Sequence, residues 1–214
     1  MELKYKCWED ISLGKFTEIE SIAKSDLSDI DRVSYFLTIL TDSDLKTIEN
    51  LPMTEYGRLA TEMSFIYDMP KVEIKDKYVI NGKKYDLCTN FKNFTAAQYI
   101  DFQTLYKDVE NNKSQLLALF LIPEECKYSD GYDVDDVAQD IEEHLSIVDA
   151  TACMLFFSLL YKGLTIATLT YSLKQMKKEM KREKNEIIKE KMRIAIEKTK
   201  ENLHLLKNMD GMLW

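Results

Sequence analysis

Two segments of this chain repeat one pattern in one register. Trp8-Glu9-Asp10-Ile11-Ser12, followed by Phe16 and Ile19, and Phe91-Lys92-Asn93-Phe94-Thr95, followed by Tyr99 and Phe102, both read aromatic-x-Asp/Asn-apolar-Ser/Thr, 83 positions apart. The same offset sets the apolar run from Val33 to Leu40 against that from Leu116 to Pro123. A shared offset across two separated patches predicts a helical unit present twice, which constrains the fold more than any single residue. In each copy a hydroxyl residue, Ser12 or Thr95, is placed to cap the orphan N–H groups of a helix start. The aromatic residue four positions earlier, Trp8 or Phe91, either closes back on its helix as a staple or marks a binding edge present in both copies.

The spacing of apolar residues gives the elements. Leu3, Tyr5 and Cys7 alternate with lysines and predict an extended lead-in. Helices are expected from Ser12 through Ala23, over Arg32–Leu40, briefly over Asp44–Ile48, and from a Thr54 cap to about Tyr67, where Pro70 stops the chain. The period then changes to two. Asn81-Gly82, between Tyr78-Val79-Ile80 and Lys83-Lys84-Tyr85, supplies the two positive-φ residues of a tight turn, so residues 71–88 predict a β-hairpin or small three-stranded patch that joins the two helical units and either packs on the helices or projects as a contact finger. Thr95 and Gln98 form a capping box for a helix running to about Val109, and Leu116–Ile122 predicts an apolar helix ended by Pro123. A helix from Ser146 to Lys162 follows, with a bend allowed at Gly163. From Tyr171 to Leu206 neither Gly nor Pro interrupts a run of helix formers. Its apolar seam changes register midway, which predicts a long surface helix against a neighbour in preference to a coiled coil. The expected fold is therefore mainly α: helical unit 1 over 1–70, a β-hairpin connector over 71–88, helical unit 2 over 89–165, and a basic helical arm with an apolar tail over 166–214.

Charge is segregated along this plan. The formal net charge is −8. Lys174–Glu201 carries eleven basic residues against six acidic, whereas residues 1–173 carry seventeen against thirty. An acidic body repels a phosphate backbone, so specific nucleic-acid binding is not expected. A cationic arm suits an acidic protein surface, including the body of another subunit. The arm residues Lys174, Lys177 and Lys181, the hairpin residues Tyr78, Asn81 and Gly82, and the tail residue Trp214 are the candidate contacts. Cys7, Cys88, Cys126 and Cys153 lack metal-type spacing and read as reduced thiols. The first residues show no secretory signal pattern, so an intracellular chain is expected. The apolar stretch Leu145–Tyr161 is short for a membrane span and contains Asp149, so it reads as a buried central helix, and no membrane partner is expected.

Catalytic patterns find little support. The two histidines, His144 and His204, are 60 positions apart. An EF-hand starting at Asp130 would need Asp or Asn where Tyr132 and Val134 stand. No GxxxxGK, GxGxxG or GxSxG occurs. The acidic residues of 124–143 read as a solvated helix face, and Asp149 as either a first-turn residue favoured by the helix dipole or a buried polar contact. The expectation is a chain that is not an enzyme and uses no metal or cofactor.

Trp8-Glu9-Asp10-Ile11-Ser12 through Phe16, and Asn93-Phe94-Thr95 through Tyr99-Ile100-Asp101, each followed by an apolar helix, resemble small all-helical proteins encoded among the virion and tail-assembly genes of tailed bacteriophages, especially crAss-like phages of gut Bacteroidales. The resemblance covers roughly residues 1–162. It implies a structural subunit, a ring or adaptor protein near the portal or tail, or alternatively a tail-assembly chaperone or adaptor that binds one partner through its C-terminal helix. It also implies homo-oligomers, other virion proteins as partners, and residence in the virion or, during assembly, the host cytoplasm.

Overall fold

The computed structural model describes residues 1–68, 70–88, 94–128 and 131–208. It is mostly helical, with a small antiparallel sheet and long C-terminal helices. The chain divides into two compact units, Met1–Met154 and Leu155 onward.

In the first unit, the Lys4 and Tyr5 N–H groups donate to the Leu40 carbonyl at 2.8 and 3.2 Å, so the lead-in is anchored without becoming a strand. Helix α1 (Leu13–Ala23) begins where Ser12 accepts from the Lys15 N–H. Helix α2 (Asp29–Thr41) is capped by Ser28 and stops at Asp42, whose φ of 55° ends it in the left-handed region. A short α3 (Leu45–Glu49) is capped by Asp44. Helix α4 (Met53–Glu62) follows Pro52 without a side-chain cap, so Thr54 lies inside it instead of capping it, and a 3-10 turn over Met63–Tyr67 extends it.

Strands β1 (Lys77–Ile80) and β2 (Lys83–Leu87) form the expected hairpin, with Asn81 at φ 49° and Gly82 at φ 72°. The third strand comes from elsewhere. Helix α5 (Ala96–Leu105) leads to α6 (Lys113–Ala118), and β3 (Leu121–Pro123) then pairs antiparallel with β2. The apolar run expected to stay helical to Ile122 is therefore helix for its first half only. A run of this length fits a buried strand as well as a helix, and the open edge of β2 decides the matter. Pro123 sits on the outermost strand, where its missing N–H leaves no ladder bond unmade. The first copy continues as helix over the matching positions, up to Thr41.

Helix α7 (Val134–His144) packs against α6, α1 and β1, while α2 packs against α1, α3 and α4. The core comprises fully buried Ile11, Leu37, Leu40, Ile48, Leu59, Ile80, Tyr85, Leu117 and Phe120. Because β2 pairs with β3, the hairpin belongs to the body. The expected units at 1–70 and 89–165 thus meet around one sheet and one core, and the body closes at Met154.

Helix α8 (Ile147–Arg182) starts inside this unit. Its first turns, with Ile147, Val148, Ala150, Ala152, Cys153 and Met154, are buried as the sequence implied. The helix runs through Gly163 without interruption, as a lone glycine costs a helix only about 1 kcal/mol relative to Ala. The second unit holds the rest of α8 and α9 (Glu186–Asn208). The arm, expected to be one helix, breaks at 183–185, where Asn185 accepts the Ile187 and Ile188 N–H groups at 2.9 and 3.3 Å and restarts the helix as its cap.

Two glycines report on packing in opposite ways. A Cβ on Gly14, in the first turn of α1, would come 3.0 Å from the Glu142 carbonyl oxygen of α7, whereas one on Gly57 in α4 meets nothing within 4 Å. Gly57→Ala is therefore expected to raise unfolding free energy by about 1 kcal/mol, and Gly14→Ala to lower it by forcing α1 off α7. Urea denaturation of the two variants measures both signs.

Candidate interaction surface

The two helix entrances are built from the expected caps but differ in their aromatic residues. Trp8 meets Phe16 edge-on at 5.7 Å and Phe65 at 5.8 Å between ring centroids, and its indole N–H donates to the Asp68 carbonyl at 2.7 Å. The ring is a staple across α1 and the end of the α4 segment. Thr95 makes the full capping box: its hydroxyl accepts from the Gln98 N–H, and the Gln98 side chain accepts from the Thr95 N–H at 2.9 Å. Gln98, 1 % exposed, also donates to the Leu119 carbonyl at 3.1 Å, so the box ties α5 to the end of α6. Tyr99, the counterpart of Phe16, is instead 46 % exposed. Phe94 stacks on Phe120 at 5.1 Å. Phe91 and Trp214 lie outside the described residues.

The hairpin is clamped to the body and does not project. Asp140 of α7 accepts from the Asn81 side-chain amide at 3.0 Å, from the Lys83 ammonium at 2.6 Å and from the Tyr85 hydroxyl at 3.3 Å. Hydrogen bonds first from Lys83 and then from Asn81 hold its carboxyl below the usual carboxylate range. Asn81 and Gly82 are exposed at the turn tip, but Tyr78 is a core residue, 2 % exposed. Its expected role as a surface contact is thereby corrected: β1 alternates, and the register that pairs Tyr78 with Tyr85 turns both rings inward. Burial raises the Tyr78 phenol pKa, with the Cys153 thiol beside it. The same burial pushes the Cys153 thiol up to about 12. Asp149 does sit in the first turn of α8, and its carboxylate receives Lys75 at 2.7 Å.

Lys174, Lys177 and Lys181 are exposed on α8, and Lys178 completes a row at i, i+3, i+4 and i+7, which is one helix face. None of the four has an ion pair among the described residues, while Lys189, Arg193 and Lys200 on α9 pair with Glu186, Glu190 and Glu197. Lys178 was not singled out from the sequence, although helical spacing alone assigns it to the row. Apolar residues are also uncovered: Leu159 and Tyr171 on α8, and Ile187, Ile188, Ile194 and Leu205 on α9. By length and composition α8 could cross a membrane, with an 18-residue window of mean hydropathy 1.6, of which 29 % is buried. The expectation of a buried central helix over 145–161 thus holds through Met154; beyond it Phe157 is buried, Leu159 is exposed and the rest are half-buried.

On the body, the start of α1, α6 and the outer side of α7 enclose an open groove of about 620 Å³. Glu18, Asp135, Glu142 and Glu143 line it, against Lys15 as its one basic lining residue. Among the described residues, no group of three or more His, Cys, Asp and Glu is placed to hold a metal ion.

Two measurements check these placements. Asp140 has a lowered folded-state pKa, so its contribution is complete above the ordinary carboxylate value and is lost as pH falls through the folded value. Lys83→Ala should reduce stability near neutral pH and flatten the acid-side decline, as read from denaturation midpoints against pH. Cys153 should resist a thiol reagent at mildly alkaline pH in the folded protein and react on unfolding; prompt labelling of Cys153 in the native chain would contradict its buried site. Comparison with known protein families, curated proteins and solved structures finds no match to this chain.

Proposed function

We propose that this chain is a structural subunit of a phage virion, an oligomeric ring or adaptor protein near the portal or tail, which works by protein–protein contacts and performs no catalysis. The observation that carries this reading is the division of labour along α8. Its root is sealed in a compact acidic body, and its continuation presents a lysine row with no ion pair among the described residues, beside uncovered apolar side chains. A body that folds around its own core and an arm that leaves both charge and apolar surface unsatisfied make a subunit whose binding energy is kept for neighbours. The placing of those neighbours in a virion rests on the sequence resemblance.

A second reading, a tail-assembly chaperone or cytosolic adaptor that binds one partner through its C-terminal helices, is favoured by the apolar length of α8, of whose most apolar window only 29 % is fully buried. A client helix laid along Leu159 and Tyr171 would bury that surface.

A protein inventory of purified particles, with the protein's size measured in solution and after particle disruption, separates the two. A ring subunit is expected in the particles and as a discrete oligomer on release. A strictly monomeric protein absent from particles would sink the ring reading. Deletion from Leu173 onward should then abolish capture of a single client while the body stays folded.

A further inference from the structure

We infer that the lysine row of α8 docks in the acidic groove of a second copy of this chain, joining subunits head to tail. This deepens the assembly reading above and rests on it. The row of Lys174, Lys177, Lys178 and Lys181 spans seven residues of helix, about 10.5 Å at the usual rise. On α7, Asp135 and Glu142 are also seven residues apart, exposed on the same side, with Gln139 between them and Glu143 adjacent. Two helix faces of equal length and opposite sign therefore face outward on different parts of one chain.

No Lys or Arg of the body neutralises the α7 carboxylates of the groove among the described residues; Glu143 accepts from the Gln139 side-chain amide at 2.9 Å and has His144 at 3.7 Å. Asp140, their neighbour on α7, is engaged by the hairpin. Asp135 and Glu142 have no ion pair among the described residues; Glu142 accepts only from the Ser114 hydroxyl at 3.3 Å. Glu142 and Glu143 also stand in the last turn of α7, where the helix dipole disfavours negative charge, and His144 is the only basic residue of that turn. Glu18 of α1 adds a carboxylate on the opposite wall, offset by Lys15 at 3.3 Å. The groove is thus an anionic slot kept at some local cost, and a row of ammonium groups removes that cost. Matched rows of charge fix register and orientation more than affinity, as suits a subunit that must add in one direction. The surface given and the surface received are different, so the contact is heterologous and yields a ring if its rotation closes and a filament if it does not.

Sedimentation of the full chain across a range of concentration and salt tests this contact. The wild-type protein should self-associate, and salt should weaken the association. Reversal of the row (Lys174→Glu, Lys177→Glu, Lys178→Glu, Lys181→Glu) and reversal of the groove (Asp135→Lys, Glu142→Lys, Glu143→Lys) should each raise the dissociation constant at least about tenfold. Mixing the two reversed proteins should restore association. Should the groove variant fail to fold, carbodiimide coupling of wild-type chains, isotopically light mixed with heavy, serves instead. Coupled peptides joining 174–181 to 135–143 should then include light–heavy pairs. An oligomer indifferent to the lysine reversal overturns the contact and leaves the assembly reading standing. Coupling confined to chains of one isotope also overturns it, because the arm would then rest on its own body. A wild-type monomer whose lysine row instead binds phosphatidylserine vesicles overturns it in favour of a membrane surface. A monomer absent from particles removes the assembly reading itself.

Discussion

The body depends on a crossing of backbone at the starts of two helices far apart in the chain. The Leu13 N–H donates to the Leu145 carbonyl at 2.9 Å and the Ile147 N–H to the Ile11 carbonyl at 2.8 Å, a small antiparallel bridge that pairs Ser12 with Ser146. Both serines are also helix caps: Ser12 receives the Lys15 N–H and Ser146 the Asp149 N–H. Ile11, Leu13, Leu145 and Ile147 around the bridge are all buried. Orphan groups at two helix starts are satisfied in one place, and apolar side chains shield those bonds from water, so α1 and the root of α8 are fixed together. Beside the bridge, Gly14 lets α1 approach α7 closely, since a Cβ there would come 3.0 Å from the Glu142 carbonyl oxygen.

Local chemistry was legible in the sequence, and long-range pairing was not. Ser12, Thr95 with Gln98, and Asn81-Gly82 each act within about four residues, and each does in the structure what its type and spacing dictate. The long C-terminal helical region was legible for the same reason. What failed was every question settled by a distant partner. Leu121–Pro123 becomes a strand because β2 offers it an edge. Tyr78 is lost to the core because its register with Tyr85 turns it inward. Phe16 and Tyr99 hold equivalent positions, yet one meets Trp8 and the other is exposed. Two misses were local: Thr54 lies inside α4 instead of capping it, and at 183–185 Asn185 is a good cap that a run rich in helix formers masked.

Within the candidate surface, the lysines could be read from composition, while the division of duties on α7 could not. In sequence, Asp135, Asp136, Asp140, Glu142 and Glu143 form one acidic stretch. Folding separates them, because α7 turns Val137, Ala138 and Ile141 inward and brings Asp140 to the hairpin, leaving the others outward. A charge run that would ordinarily be a solvated face is thus partly a structural clamp and partly an open groove.

The arm bears on the proposed assembly through its own energetics. Ordering a residue costs about 1–2 kcal/mol of backbone entropy, and ion pairs three or four residues apart return only about 0.2–0.5 kcal/mol each. Helix α8 can meet this cost because its root is nucleated and buried in the body, so its continuation propagates from a formed helix. Helix α9 has no such root. It restarts at Asn185 and fully buries Ile196 alone, while Ile187, Ile188, Ile194 and Leu205 stay in water. Its three ion pairs are of the weak, exposed kind. A helix of 23 residues held by so little burial is the element that the proposed assembly would stabilise most, since a neighbour covering those isoleucines would add the burial it lacks.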